Sequence, residues 1–224
     1  MAGGRLAAVV VEARDVPGLA RFWAGALGWR DCGDAIVRPV AGGPVELVFV
    51  ASAQPKAGKN RLHLDLTGGA DQAGEVDRLL ALGAHRADIG QGYVPWDVLA
   101  DPEGNEFCVL PGADAAERLA QICQDAADPG LQGRFWAAAT GWQVTEEAAW
   151  GVRLAPAPGT APSLVMGPPA APKSGVNRLR FALAADDLPG AEAALLAAGA
   201  VRTGIPHVFT DPEDNEFRLG GPAA

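Results

Sequence analysis

The 224-residue chain is poor in the residues that build disulfides and metal clusters, with three cysteines, Cys32, Cys108 and Cys123, and three histidines, His63, His85 and His207. The cysteines are odd in number, scattered and outside any Cys-x-x-Cys spacing, which argues against a disulfide framework or a structural zinc site and fits a reducing, cytoplasmic setting. Positive charge is also short. Lys and Arg total 18 against 27 Asp and Glu, and the resulting net charge of −9 repels nucleic acid and anionic membrane surfaces, leaving small molecules as the expected partners. No segment approaches a membrane-spanning apolar run, and residues 1–14 lack the layout of a signal peptide, so neither a membrane span nor export is expected. What is present is an ordinary folded balance, 49% hydrophobic and 20% charged, in a chain long enough for two domains with separate cores.

Those two domains are related. Arg5 to Trp29 aligns without a gap on Arg118 to Trp142, sharing Arg-Leu-Ala, the aspartates Asp15 and Asp128, Arg-Phe-Trp, and Gly28-Trp29 with Gly141-Trp142. Lys56 and Asn60-Arg61-Leu62 recur as Lys173 and Asn177-Arg178-Leu179, Gly83-Ala84 as Gly199-Ala200, and Asp101-Pro-Glu-Gly-Asn-Glu-Phe107 as Asp211-Pro-Glu-Asp-Asn-Glu-Phe217. Landmarks in one order mean duplication, with domains over 1–111 and 118–224 and a small, polar linker over 112–117. Each half subdivides again. Leu6 to Val11 is a short apolar run followed by Asp15, a proline and a helical stretch closed by Gly28, and Leu62 to Leu66 leads in the same way into a helix over Asp71 to Leu82. Short strands follow at Ala35 to Val40, Val45 to Val50, Val94 to Leu99 and Glu106 to Leu110, so the expected unit is βαβββ, four times over.

The stretch Asp15 to Trp29, the strand Arg-Leu-His-Leu-Asp-Leu (Arg61 to Leu66) and the motif Asp101 to Phe107 resemble the vicinal oxygen chelate superfamily, in particular its glyoxalase-like and bleomycin-resistance-like members. The resemblance implies an α+β fold: two such domains, each of two βαβββ units whose strands form a curved mixed sheet around a cavity, with helices outside. It also implies up to four metal ligands on the first and fourth strands of each unit. Those positions fall on Ala8, Glu46, His63 and Cys108 in the first half, and on Gln121, Ser163, Arg180 and Arg218 in the second.

A methyl group and two guanidinium groups cannot coordinate a metal, so no cofactor is expected, any divalent ion being confined to Glu46, His63 and Cys108. Strand alternation puts His63 on one face with Arg61 and Asp65, while Leu62, Leu64 and Leu66 point to the core. His63 is then either a polar pair with Glu46 or Asp65, a ligand hydrogen-bonder or a general base, and Cys108 is either a donor or a small buried hydrophobe. Arg180 and Arg218 form an anion cluster with Gln121, or pair with Asp125 or reach solvent. Trp96, in phase with Val98, is the aromatic expected to line the cavity, whereas Asp101-Pro and Asp211-Pro are turn chemistry and His85 and His207 receive no role.

The expectation is a metal-free protein that sequesters a neutral or cationic planar compound between Trp96, Glu46 and His63. The alternative is a lyase, isomerase or dioxygenase-type enzyme using His63 and Glu46 as its acid and base. A third possibility is that the second domain only completes a pseudo-dimer, and both a monomer with paired domains and a homodimer fit.

Overall fold

The computed structural model describes residues 4–112, 117–157, 159–170 and 173–221. Four βαβββ units follow one another. The first is β1 (Arg5–Ala13), α1 (Val16–Leu27), β2 (Arg30–Asp31), β3 (Ile36–Arg38) and β4 (Glu46–Ala51), and the second is β5 (Leu62–Thr67), α2 (Gln72–Ala81), β6 (His85–Arg86), β7 (Asp97–Ala100) and β8 (Glu106–Leu110). The third comprises β9 (Leu119–Asp125), α3 (Pro129–Thr140), β10 (Gln143–Ala148), β11 (Gly151–Ala155) and β12 (Ser163–Gly167). The fourth comprises β13 (Leu179–Ala184), α4 (Leu188–Ala198), β14 (Val201–Arg202), β15 (Val208–Thr210) and β16 (Glu216–Gly220).

Each helix starts on an aspartate, Asp15, Asp71, Asp128 or Asp187, whose side chain accepts a hydrogen bond from the amide three residues on and so satisfies a donor with no partner within the helix. The expected strand at Val94 to Leu99 begins only at Asp97, because Pro95 has no N–H to give a ladder, and Trp96 consequently precedes it. The strand expected from Ala35 starts at Ile36, since Asp34 and Ala35 hold positive φ angles of 50° and 64° that no strand accommodates. Of the linker, residues 113–116 lie outside the described residues.

The strands assemble into two open eight-stranded mixed sheets, and each takes one unit from each half. The first sheet runs β14-β15-β16-β13-β1-β4-β3-β2 and joins the first and fourth units. The second runs β10-β11-β12-β9-β5-β8-β7-β6 and joins the second and third. The joins are antiparallel, β1 on β13 and β5 on β9. The α+β class and the unit architecture are as expected; the partners within a sheet come from different halves of the chain.

The halves nevertheless share cores. Trp23 on α1 packs edge-on against Phe107 of β8 at 5.3 Å, and its indole N–H donates to Asp101. In the second half Trp136 on α3 meets Phe181 and Phe217 at 4.5 and 5.4 Å. Each half therefore gives its two units to different sheets while keeping them on one aromatic cluster.

Two charged clasps join the sheets. Arg178, at the entrance to β13, donates to Glu103, to Asn105 and to the Gln54 carbonyl; Glu103 in turn accepts the Arg14 and Asp15 amides at the start of α1. By the duplication, Arg61 binds the Glu213 side chain and carbonyl, and Glu213 accepts the Ala127 and Asp128 amides ahead of α3. The recurring lysines and asparagines complete the pattern, Lys56 on Glu106 at 2.6 Å and Asn60 on Asn105 at 3.1 Å, with Lys173 on Glu216 and Asn177 on Asn215 in the copy. The Asp-Pro-Glu-x-Asn-Glu-Phe motif is thus more than a turn, because its Glu, Asn and second Glu receive these bonds.

Replacing Arg178 with methionine removes one partner of a buried pair and leaves the Glu103 carboxylate without a cation. The expected loss in urea unfolding is about 3–5 kcal/mol. Replacing Arg202, whose pairing with Glu192 is surface-exposed, should change stability by less than about 1 kcal/mol.

Candidate functional site

Each sheet turns one face to the core and one away from it, and the ligand positions fall on the outer faces. On the first sheet the ladder pairs Glu46 with Ala8, Ala8 with Ala182 and Ala182 with Arg218, so these four run straight across β4, β1, β13 and β16. The adjacent row carries Val48, Val10 and Arg180. An open cavity of about 380 Å³ lies here, with Ala8, Val10, Val48 and Ala182 contributing apolar lining and Leu188, His207, Glu46 and Arg218 around them. The Glu46 carboxylate is taken up by Arg38 at 2.5 Å, and Arg180 by Glu12 at 2.9 Å. Among the described residues, Arg218 has no ion pair and the His207 imidazole no hydrogen bond.

On the second sheet the corresponding row is Cys108, Asp65, Gln121 and Ser163, across β8, β5, β9 and β12, with His63 opposite Cys123 one step along. The Cys123 thiol donates to Asp65 at 3.0 Å, and Arg153 donates to Ser163 at 3.1 Å. His63 Nε2 lies 3.3 Å from Asp65 Oδ1 without hydrogen-bond alignment, and neither that oxygen nor His63 Nδ1 has a hydrogen-bond partner among the described residues. Burial, reinforced by the Asp65 charge, pushes the thiols of Cys108 and Cys123 well above their ordinary range.

The expected convergence of Glu46, His63 and Cys108 therefore does not occur. His63, Cys108, Gln121 and Ser163 share the second sheet, whereas Glu46, Arg180 and Arg218 share the first. The reason is the exchange of units between sheets: β4 hydrogen-bonds within the first sheet and β5 within the second, so neighbours in sequence open onto different faces. The same exchange separates Gln121 from Arg180 and Arg218. Of the alternatives for the arginines, Asp125 is not the partner, being bound by Lys59 at 2.5 Å. Trp96, 37% exposed, precedes β7 of the second sheet and cannot form one platform with Glu46.

Cys123 and His207, which had no role in the sequence, and Asp65, expected only as a partner of His63, join these sites. Asp65 carried a signal, two positions after His63 and so on its face. Cys123 stands in the same relation to Gln121. His207 sits in the β14–β15 connection, where no periodicity applies, and its φ of 62° is a property of the folded turn.

A metal of the kind the superfamily holds finds one carboxylate on the first sheet, already spent on Arg38, and does not fit there. On the second sheet His63, Asp65 and Cys123 bring donor atoms within 4.8 Å of one another. That set is a poor one for a resident ion. The Cys123 proton is engaged with Asp65, and His63 Nδ1 lacks the outer partner that orients a metal-bound imidazole. With Cys108 buried and the Cys123 thiol held protonated against Asp65, a thiol titration of the native protein at pH 8 should count one reactive group, the exposed Cys32, and three after denaturation. Two or more fast thiols in the native state would refute this arrangement.

The sequence matches the model of the glyoxalase-like domain twice, over residues 8–110 and 121–220. No curated protein matches it. Among solved structures, glyoxalase I from Zea mays superposes with a TM-score of 0.66 at 16% identity, over 96% of this chain and 91% of that one. A putative dioxygenase from Bacillus subtilis gives 0.62 at 13% identity, over 98% and 86%. At such identities the likeness is one of fold, and it extends to the whole two-sheet arrangement. Among the described residues, no helix is long and apolar enough to cross a membrane. The two domain matches cover most of the chain, which therefore belongs to the glyoxalase-like domain family and carries that domain in tandem.

Proposed function

We propose that this protein binds a small organic molecule on the outer face of its first sheet, without a catalytic metal. The observation that carries the reading is the row Glu46, Ala8, Ala182 and Arg218 across the 380 Å³ cavity. Where a metal-dependent relative needs three or four donors, this row offers two methyl groups, a guanidinium and one carboxylate held by Arg38. What the same residues do well is accept an organic surface, since alanine side chains leave room and the valines beside them exclude water. Its volume lies at the small end of the range for ligand pockets, roughly 300–1,000 Å³. A catalytic role in which His63 and Glu46 exchange protons with one substrate is not supported, because the two open onto different sheets.

Elemental analysis of the purified protein should find well under one equivalent of zinc, iron, nickel or manganese, and His63→Ala should leave that figure unchanged. A stoichiometric metal lost on His63→Ala would replace this reading with that of a metal enzyme centred on the second sheet. Native mass spectrometry of the same preparation is expected to show an organic adduct that Ala182→Phe, which fills the cavity floor, abolishes.

A further inference from the structure

We infer that the ligand of the first-sheet cavity is a small organic anion, a carboxylate on an apolar body, with Arg218 as its charged anchor and His207 as a second donor. The inference rests on the binding reading above and gives it a ligand class.

Charge pairing decides the sign. The negative charge available to attract a cation, Glu46, is cancelled by Arg38, and Arg180 in the adjacent row is cancelled by Glu12. Among the described residues Arg218 is the charged group lining the cavity that has no ion pair, so the cavity they form keeps one positive charge in excess within a chain whose net charge is −9. A cationic ligand would meet that charge with no free carboxylate opposite it. An anion meets a planar guanidinium, whose two parallel N–H groups match the spacing of a carboxylate.

Position agrees with charge. Arg218 stands in the same cross-sheet row as Ala182 and Ala8, and on β16 it is flanked by β13 and β15. His207 comes immediately before Val208, the residue paired with Arg218, and also lines the cavity. Its backbone sits at φ 62°, in the left-handed region that L-residues seldom adopt. Among the described residues the turn thus presents an imidazole without a hydrogen bond and, from the paired strand, an arginine without an ion pair, lining one cavity with methyl and isopropyl groups. Two unspent polar side chains at one end of an apolar trough suit a molecule with one charged end and a hydrocarbon or aromatic remainder.

The test is a binding series on the full chain, followed by protein-observed NMR, with benzoate, phenylacetate and hexanoate against the amides and the amines of the same skeletons. The acids should bind and the amides should be weaker by about tenfold or more, the difference between a charge-assisted and a neutral hydrogen bond. Arg218→Met should weaken the acids by a similar factor and leave the amides unchanged, while Arg218→Lys recovers part of the loss. His207→Asn, which tolerates the same backbone angle, should weaken the acids less than Arg218→Met does. Arg218 is exposed, and an unchanged melting temperature will show that its variants fold. Amides or amines binding as tightly as acids, or acids indifferent to Arg218→Met, would overturn the anion inference while leaving a binding cavity in place. Failure of all three series to bind would overturn the cavity reading as well.

Discussion

Two reciprocal arginine–glutamate clasps, Arg178 on Glu103 and Arg61 on Glu213, are the constraint on which the arrangement of this protein depends. Each takes a guanidinium from the entrance to a first strand and a carboxylate from an Asp-Pro-Glu turn on the other sheet. Each carboxylate also accepts two backbone amides ahead of a helix, so one side chain holds the helix start, the turn and the opposite sheet together. Such a buried pair contributes less net stability than its Coulomb attraction suggests, since both charges give up water. Its larger effect is on specificity: four similar units could pair in several ways, and an arrangement that separated these partners would bury unpaired charge.

The exchange of units decides which side chains meet. Because the first unit hydrogen-bonds to the fourth and the second to the third, each outer face mixes residues from both halves of the chain. The outcome is two faces of different chemistry. The first is shallow, floored by alanine and valine and edged by a free arginine. The second is crowded with thiols, a carboxylate and an imidazole that largely engage one another. Duplication supplied two copies of one scaffold, and the residues in equivalent rows have diverged toward different uses.

Local pairing then sets the electrostatics. Glu46 and Arg180 look like opposite anchors in a list of residues, yet Arg38 and Glu12 neutralise them, and the charge of the cavity is left to Arg218. A strand pattern predicts the face on which a side chain stands. It carries no information on whether a counterion from the neighbouring strand has already reached it.

The sequence by itself determined the repeat, the four βαβββ units, the helix starts at Asp15 and Asp71 and by the repeat at Asp128, and the division of strands into core and outer faces. All of these follow from interactions within about ten residues, where caps, periodicity and turn chemistry act directly. The resemblance to the superfamily brought forward His63, Cys108, Glu46 and Arg218, and alternation, a property of the single strand, set the face on which His63 stands. Only the tertiary structure decided that Glu46 and His63 belong to different sheets, that Cys123 stands beside His63, and that His207 lines one cavity with Arg218. Those facts depend on which strand edges hydrogen-bond and on how the connections between strands fold, and every edge in the four units presents the same backbone donors and acceptors. The choice among them fell to the clasps and the shared aromatic cores, which exist only once the units are packed.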